Sequence, residues 1–126
     1  MNLPLNVDFS GKVVVITGAG GVLCGTMARA FAQVGAKVAA LDLNEEAVKK
    51  LADECKAEGY ICEGYKANVL EHEALEEVHA RILDELRSCD ILVNRNCSRC
   101  CKLNKYKPDY WNNANNLFWF ALLQTK

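Results

Sequence analysis

The sequence predicts an α/β fold in which a parallel sheet carries helices on both faces. Three observations predict it. Short, continuously apolar runs rich in β-branched residues alternate with longer runs of helical period. A glycine-rich turn, Thr17-Gly18-Ala19-Gly20-Gly21, joins the first apolar run to the first helical one. The resulting order, β-α-β-α-β-α-β, requires crossover connections, which implies parallel strands joined by right-handed crossovers.

The elements follow in order. Lys12-Val13-Val14-Val15-Ile16-Thr17 has no polar alternation, so it reads as a strand buried on both faces. A helix is expected from about Val22 to Val34, and Val38-Ala39-Ala40-Leu41 is a second buried strand ending at Asp42. Asn44 is a suitable N-cap, with Glu45 and Glu46 in the first turn, where the helix dipole favours acids. That helix presents Ala47, Val48, Leu51 and Cys55 on one face and ends near Gly59. A third strand lies within Tyr60 to Lys66, and its untidy alternation suits the edge of a sheet. Glu71 opens a third helix with Leu75, Val78, Ile82 and Leu86 on one stripe, and Cys89 to Asn94 is the fourth strand. The regular pattern ends there. Residues 95–126 form an atypical tail, a loop followed by one helix over about Tyr110 to Gln124, so the fold is expected to be truncated after its fourth strand.

Bulk properties narrow the function classes. A chain of 126 residues with net charge -1, half of it apolar, suits one ordinary soluble domain. There is no basic field for nucleic acid, no polybasic run for a membrane surface and no signal-peptide pattern. The late apolar run Leu117 to Leu123 is too short to span a bilayer. A cytoplasmic location is the expectation. Seven cysteines without a secretory signal argue for reduced thiols rather than a disulfide framework.

The chemistry begins at the first turn. A dinucleotide brings its phosphates close to the backbone, so glycines such as Gly18, Gly20 and Gly21 leave room where side chains would intrude. The helix that starts there offers free N–H groups and the positive end of its dipole. Asp42, at the end of the second strand, can accept hydrogen bonds from ribose hydroxyls and would repel a 2′-phosphate; Leu43 beside it is neutral. These features describe a Rossmann-type nucleotide site that favours NAD over NADP.

The run Phe9 to Gly18, together with Leu41-Asp42, Asn68-Val69 and Asp90 to Asn94, resembles the short-chain dehydrogenases/reductases over about residues 7–94. The turn Gly20-Gly21-Val22-Leu23-Cys24 is similar to the sugar-acid branch, the mannonate or fructuronate oxidoreductases. The resemblance implies cofactor contacts at Thr17, Gly18, Gly20, Gly21, Val22, Leu23, Asp42, Leu43, Asn68, Val69 and Asn94. It also implies a proton-relay asparagine at Asn116. Three departures stand out. Val22 and Cys24 occupy the last two glycine positions of the family turn, Asn68 replaces the usual aspartate, and Asn94-Arg95-Asn96-Cys97 replaces Asn-Asn-Ala-Gly. The family's catalytic Ser and Tyr-x-x-x-Lys are not found after any tyrosine of this chain.

Other constellations are weaker. Cys97-Ser98-Arg99-Cys100-Cys101 offers one C-x-x-C pair without the further ligands zinc needs, so no metal site is expected. Cys24, at a helix N-terminus, reads better as a small packing residue than as a reactive thiol. Trp111, Phe118, Trp119 and Phe120 lack an interleaved basic groove, which favours self-association through the tail over nucleic acid. The expectation is therefore the cofactor-binding part of an NAD-dependent oxidoreductase of secondary alcohols or carbonyls, inactive alone. The alternative is a non-catalytic nucleotide-binding or interaction module from a truncated or frameshifted reading.

Overall fold

The computed structural model describes residues 6–68 and 71–95. Seven elements alternate: β1 (Val13–Thr17), α1 (Val22–Gln33), β2 (Lys37–Asp42), α2 (Glu45–Ala57), β3 (Cys62–Lys66), α3 (His72–Glu85) and β4 (Ile91–Val93). The four strands form one parallel sheet in the order β3-β2-β1-β4. The fold class read from the sequence is the one observed.

Burial explains why β1 and β2 are continuously apolar. Val14 and Ile16 of β1, with Val38 and Ala40 of β2, face a core built from Cys24, Ala28 and Ala32 of α1 and Val48, Leu51, Ala52 and Cys55 of α2. Val13, Val15, Ala39 and Leu41 face the opposite core, closed by Leu75, Val78, Ile82 and Leu86 of α3. A strand with helices on both sides has no wet face on which polar residues could alternate. The α3 stripe read from the sequence is the buried one. On α2 the stripe includes Ala52, while Ala47 is only half-buried.

Helix ends follow local chemistry. The Asn44 side chain accepts from the Ala47 N–H at 3.2 Å and caps α2. Gly35 and Gly59 follow the C-caps of α1 and α2 at φ +95 and +86, a backbone that side chains disfavour. Gly64 has a different purpose. A Cβ there would sit 2.6 Å from the Val48 carbonyl oxygen, so β3 approaches the backbone of α2 too closely for any side chain.

The boundaries differ slightly from expectation. Glu71 is the N-cap of α3 rather than its first residue. β4 spans only Ile91–Val93, shorter than Cys89 to Asn94, though Asp90 before it is also bonded to β1. The Asp90 carboxylate accepts from the Val13 N–H at 2.9 Å, and the Asp90 N–H donates to the Val13 carbonyl at 2.9 Å. Arg87 lies just before, at φ +138, with its guanidinium donating to the Gly11 carbonyl at 2.6 Å and to Asp90 at 3.2 Å. Those contacts hold an otherwise strained backbone.

Candidate functional site at the carboxyl edge of the sheet

The strand order places one special crevice. The chain runs from β1 outward to β2 and β3, then returns to the other side of β1 for β4. In open α/β sheets ligands bind at such a reversal, beyond the carboxyl ends of the strands. Thr17, Asp42, Asn68 and Asn94 all lie at that edge, brought there by the parallel register of Thr17 with Leu41, Asp42 with Lys66 and Ile16 with Val93.

The two sides of the crevice are tied together. Thr17 is fully buried; its hydroxyl donates to Asn94 Oδ1 at 3.0 Å and accepts from the Arg95 N–H at 2.8 Å. On the β2 side, the Ala19 N–H donates to the Leu41 carbonyl at 3.1 Å. Asp42 Oδ2 accepts from the Gly20 N–H at 3.0 Å, and Asp42 Oδ1 accepts from the Asn44 N–H at 2.9 Å. The carboxylate therefore shapes the turn into α2 and the glycine turn at once. Two bonds leave about half of its acceptor capacity free for hydroxyl donors.

Glycine is required here by space. A Cβ at Gly20 would lie 2.9 Å from Asp42 Cγ and 3.1 Å from Ala47 Cβ. Gly18 has φ +71. Gly21 is the N-cap of α1, which has no side-chain cap and no acid in its first turn. The first-turn N–H groups of a helix have no intrahelical partners, so this end is open to an anion. The departures at Val22 and Cys24 do not fill the cradle. Val22 is 90% exposed at the helix start, and Cys24 is buried in the core beneath. The residues present thus fit a dinucleotide phosphate group. Leu23 and Leu43 are both 60% exposed, an apolar rim beside the turn and beside Asp42. A groove of about 360 Å³ between α1 and α2 has Gly20, Gly21, Val22 and Ala47 in its wall.

Asn68 follows β3; its side-chain amide nitrogen donates to Glu71 Oε1 at 3.2 Å and its backbone carbonyl accepts from the Glu71 N–H at 3.0 Å. Val69, Asn116 and the cysteines Cys97, Cys100 and Cys101 lie outside the described residues. Among the described residues no group of three or more potential metal ligands gathers, and no helix is long and apolar enough to cross a membrane. Sequence reasoning missed two features of this edge. One is the hydroxyl bridge from Thr17 to β4, which has no local signature. The other is Arg95, which in the sequence is only a departure from the family pattern. Its side chain lies across the glycine turn, with Cβ and Cδ 3.7 and 3.9 Å from a Cβ position at Gly18 and Nη1 3.7 Å from one at Gly21.

The model of the family described as short chain dehydrogenase matches residues 12–125. The chain belongs to the short-chain dehydrogenase family. The match runs beyond Asn94, through most of the segment after the fourth strand. An uncharacterized oxidoreductase from Haemophilus influenzae is 45% identical over 94 residues, covering 75% of this chain and 33% of the relative. The 2,3-dihydro-2,3-dihydroxybenzoate dehydrogenase of Bacillus subtilis is 42% identical over 84 residues, covering 67% and 32%. Among solved structures, a provisional D-mannonate oxidoreductase from Haemophilus with bound NAD superimposes with TM-score 0.68 at 45% identity, over 69% of this chain and 31% of that one. An NAD+-bound xylitol dehydrogenase gives 0.66 at 31% identity, over 70% and 34%. The chain spans about a third of the length of these relatives.

Proposed function

We propose that residues 1–94 are the NAD-binding part of a short-chain oxidoreductase acting on a secondary alcohol or carbonyl, with a sugar acid as the substrate class. The observation that carries the cofactor reading is the joint placement of Gly20 and the Asp42 carboxylate at the sheet's reversal, 3.0 Å apart through a hydrogen bond. NAD, when bound, supplies the hydride acceptor. Gly18, Gly20, Gly21 and the start of α1 would receive its diphosphate, with Val22 and Leu23 bordering the same turn. Asp42 would hold the adenosine ribose, with Leu43 against the adenine side. Asn68 and Val69 would border the adenine, and Thr17 would hold Asn94 in place beside the second ribose.

The negative charge of Asp42 and the neutral Leu43 support NAD over NADP. The NAD-bound relatives support the same choice, and the likeness to a D-mannonate oxidoreductase supports the sugar-acid class. The family's Ser and Tyr-x-x-x-Lys have no counterpart in this sequence, so the 126-residue chain should bind without turning over, Asn116 being its one candidate catalytic side chain. Free thiols at Cys24, Cys55, Cys62 and Cys89 suit a reducing, cytoplasmic setting, and the apolar tail would give self-association.

Calorimetric titration tests the reading. NAD should bind, with NADP weaker by roughly tenfold or more, the effect of one charge repulsion at close range. No heat with either nucleotide in a folded sample overturns it. NADH formation from mannonate by this chain alone overturns the claim of inactivity.

A further inference from the structure

Arg95 stands where it should be least comfortable. Its aliphatic stem lies over Gly18 and its guanidinium lies beside Gly21, the N-cap of α1. That helix end carries the positive pole of the dipole, with no acid in the first turn and no side-chain cap to offset it. The carboxylate pairs formed among the described residues use Arg29, Lys49, Lys56, Arg81 and Arg87, not Arg95. A cation set against a positive helix end becomes favourable when an anion lies between them. The backbone fixes the approach, because the Arg95 N–H is anchored on the buried Thr17 hydroxyl at 2.8 Å.

We propose that Arg95 is a diphosphate ligand, its guanidinium closing over the glycine turn from the β4 side and clamping the nucleotide diphosphate against Gly21 and the start of α1. This deepens the cofactor reading above and rests on it. A guanidinium offers a planar fork of donors that matches two phosphate oxygens, which a lysine ammonium cannot do. The clamp gives the unusual Asn94-Arg95 pair a purpose that a small residue at position 95 could not serve.

The test is calorimetric titration of the full chain and of Arg95→Ala, Arg95→Lys and Asp42→Ala with three probes: NAD, ADP-ribose and adenosine. Arg95→Ala should lose roughly 10- to 100-fold in affinity for NAD and ADP-ribose, the range expected for a charge-assisted phosphate contact. Adenosine, which has no phosphate, should bind it as it binds the parent. Arg95→Lys should recover part of the loss, and the salt dependence of NAD binding should be shallower in Arg95→Ala. Equal or tighter binding of NAD by Arg95→Ala overturns the clamp and makes Arg95 a cover over an open cradle, while leaving the cofactor reading intact. Failure of the parent to bind NAD or adenosine removes both. Asp42→Ala should weaken all three probes, which separates loss of the ribose contact from loss of the clamp. The exposed Arg95 side chain and its retained backbone N–H predict unchanged thermal unfolding of the Arg95 variants without ligand, and a matched melting curve verifies that the binding loss is local.

Discussion

At the scale of single residues, the site depends on what glycine leaves out. Gly20→Ala would place a methyl 2.9 Å from Asp42 Cγ and 3.1 Å from Ala47 Cβ. Asp42 is a side chain at the sheet edge and can turn away, so the cost in stability should stay within about 1–3 kcal/mol. The proposed ribose contact would move with it, and NAD affinity should fall by roughly tenfold or more, read by titration beside urea unfolding. Asp90 works on stability instead. The Val13 N–H, helped by Arg87, holds its carboxyl below the ordinary aspartate value, and partial burial opposes them. A depressed folded pKa contributes stability that is present above the unfolded value, about 3.9, and is lost as pH falls through the folded one. Asp90→Asn should therefore be less stable than the parent at pH 7, and the two should converge as pH falls through the lowered folded value. Equal urea midpoints at pH 7 would mean that the charge on Asp90 contributes nothing, since an asparagine oxygen can still accept from the Val13 N–H.

At the scale of elements, the contacts between β3 and its helices decide how firmly the edge of the sheet is held. Tyr65 is 1% exposed under α3, its hydroxyl donating to Glu85 at 2.6 Å and its ring beneath Arg81 at 5.0 Å. Burial and the adjacent Glu85 push its phenol above the ordinary range, so it stays protonated and donating. Tyr65→Phe should cost about 1 kcal/mol, the net value of one hydrogen bond, measured as a shift in urea midpoint. On the other face, Gly64→Ala would drive a methyl to 2.6 Å from the Val48 carbonyl oxygen and 2.7 Å from its carbon. Both are backbone atoms within α2, so the helix itself must shift, and destabilisation of about 1–3 kcal/mol is expected. The same substitution's effect on NAD binding should be small if α2 moves as a body and Asn44 keeps its cap. Much of this edge was unreadable in the sequence. The buried helical stripe of α3 was plain from its spacing, but the partner of Tyr65 lies twenty positions away on another element.

At the scale of the whole molecule, the core is unevenly buried. β1 is buried at every position, whereas Ile91, Leu92 and Val93 of β4 are only half-buried and β3 is an outer strand. Amide exchange should be slowest in β1 and β2 and faster in β4, since local opening follows local burial. A ligand that bridges the β2 side and the β4 side of the crevice should slow exchange at Asn94 and Arg95 and raise global stability by about 2.7 kcal/mol at a hundredfold excess over Kd. Unchanged exchange at Arg95 in saturating NAD would argue against the clamp.

The sequence by itself determined the elements and their chemistry. Continuous β-branched runs are strands buried on both faces, Asn44 caps α2, and glycines followed by a helix with an acid after the next strand describe a nucleotide site. These are local patterns, set by burial and backbone preference within a few residues. Only the tertiary structure decided what meets what. The position of β4 beside β1 depends on non-local pairing, and it alone brings Thr17 to Asn94 and lays Arg95 over Gly18 and Gly21. The bond from Asp42 to Gly20 likewise exists because parallel register aligns two strand ends that the chain separates by a whole helix. Periodicity records which face of an element is buried, but it carries no information on which distant residue fills the space opposite.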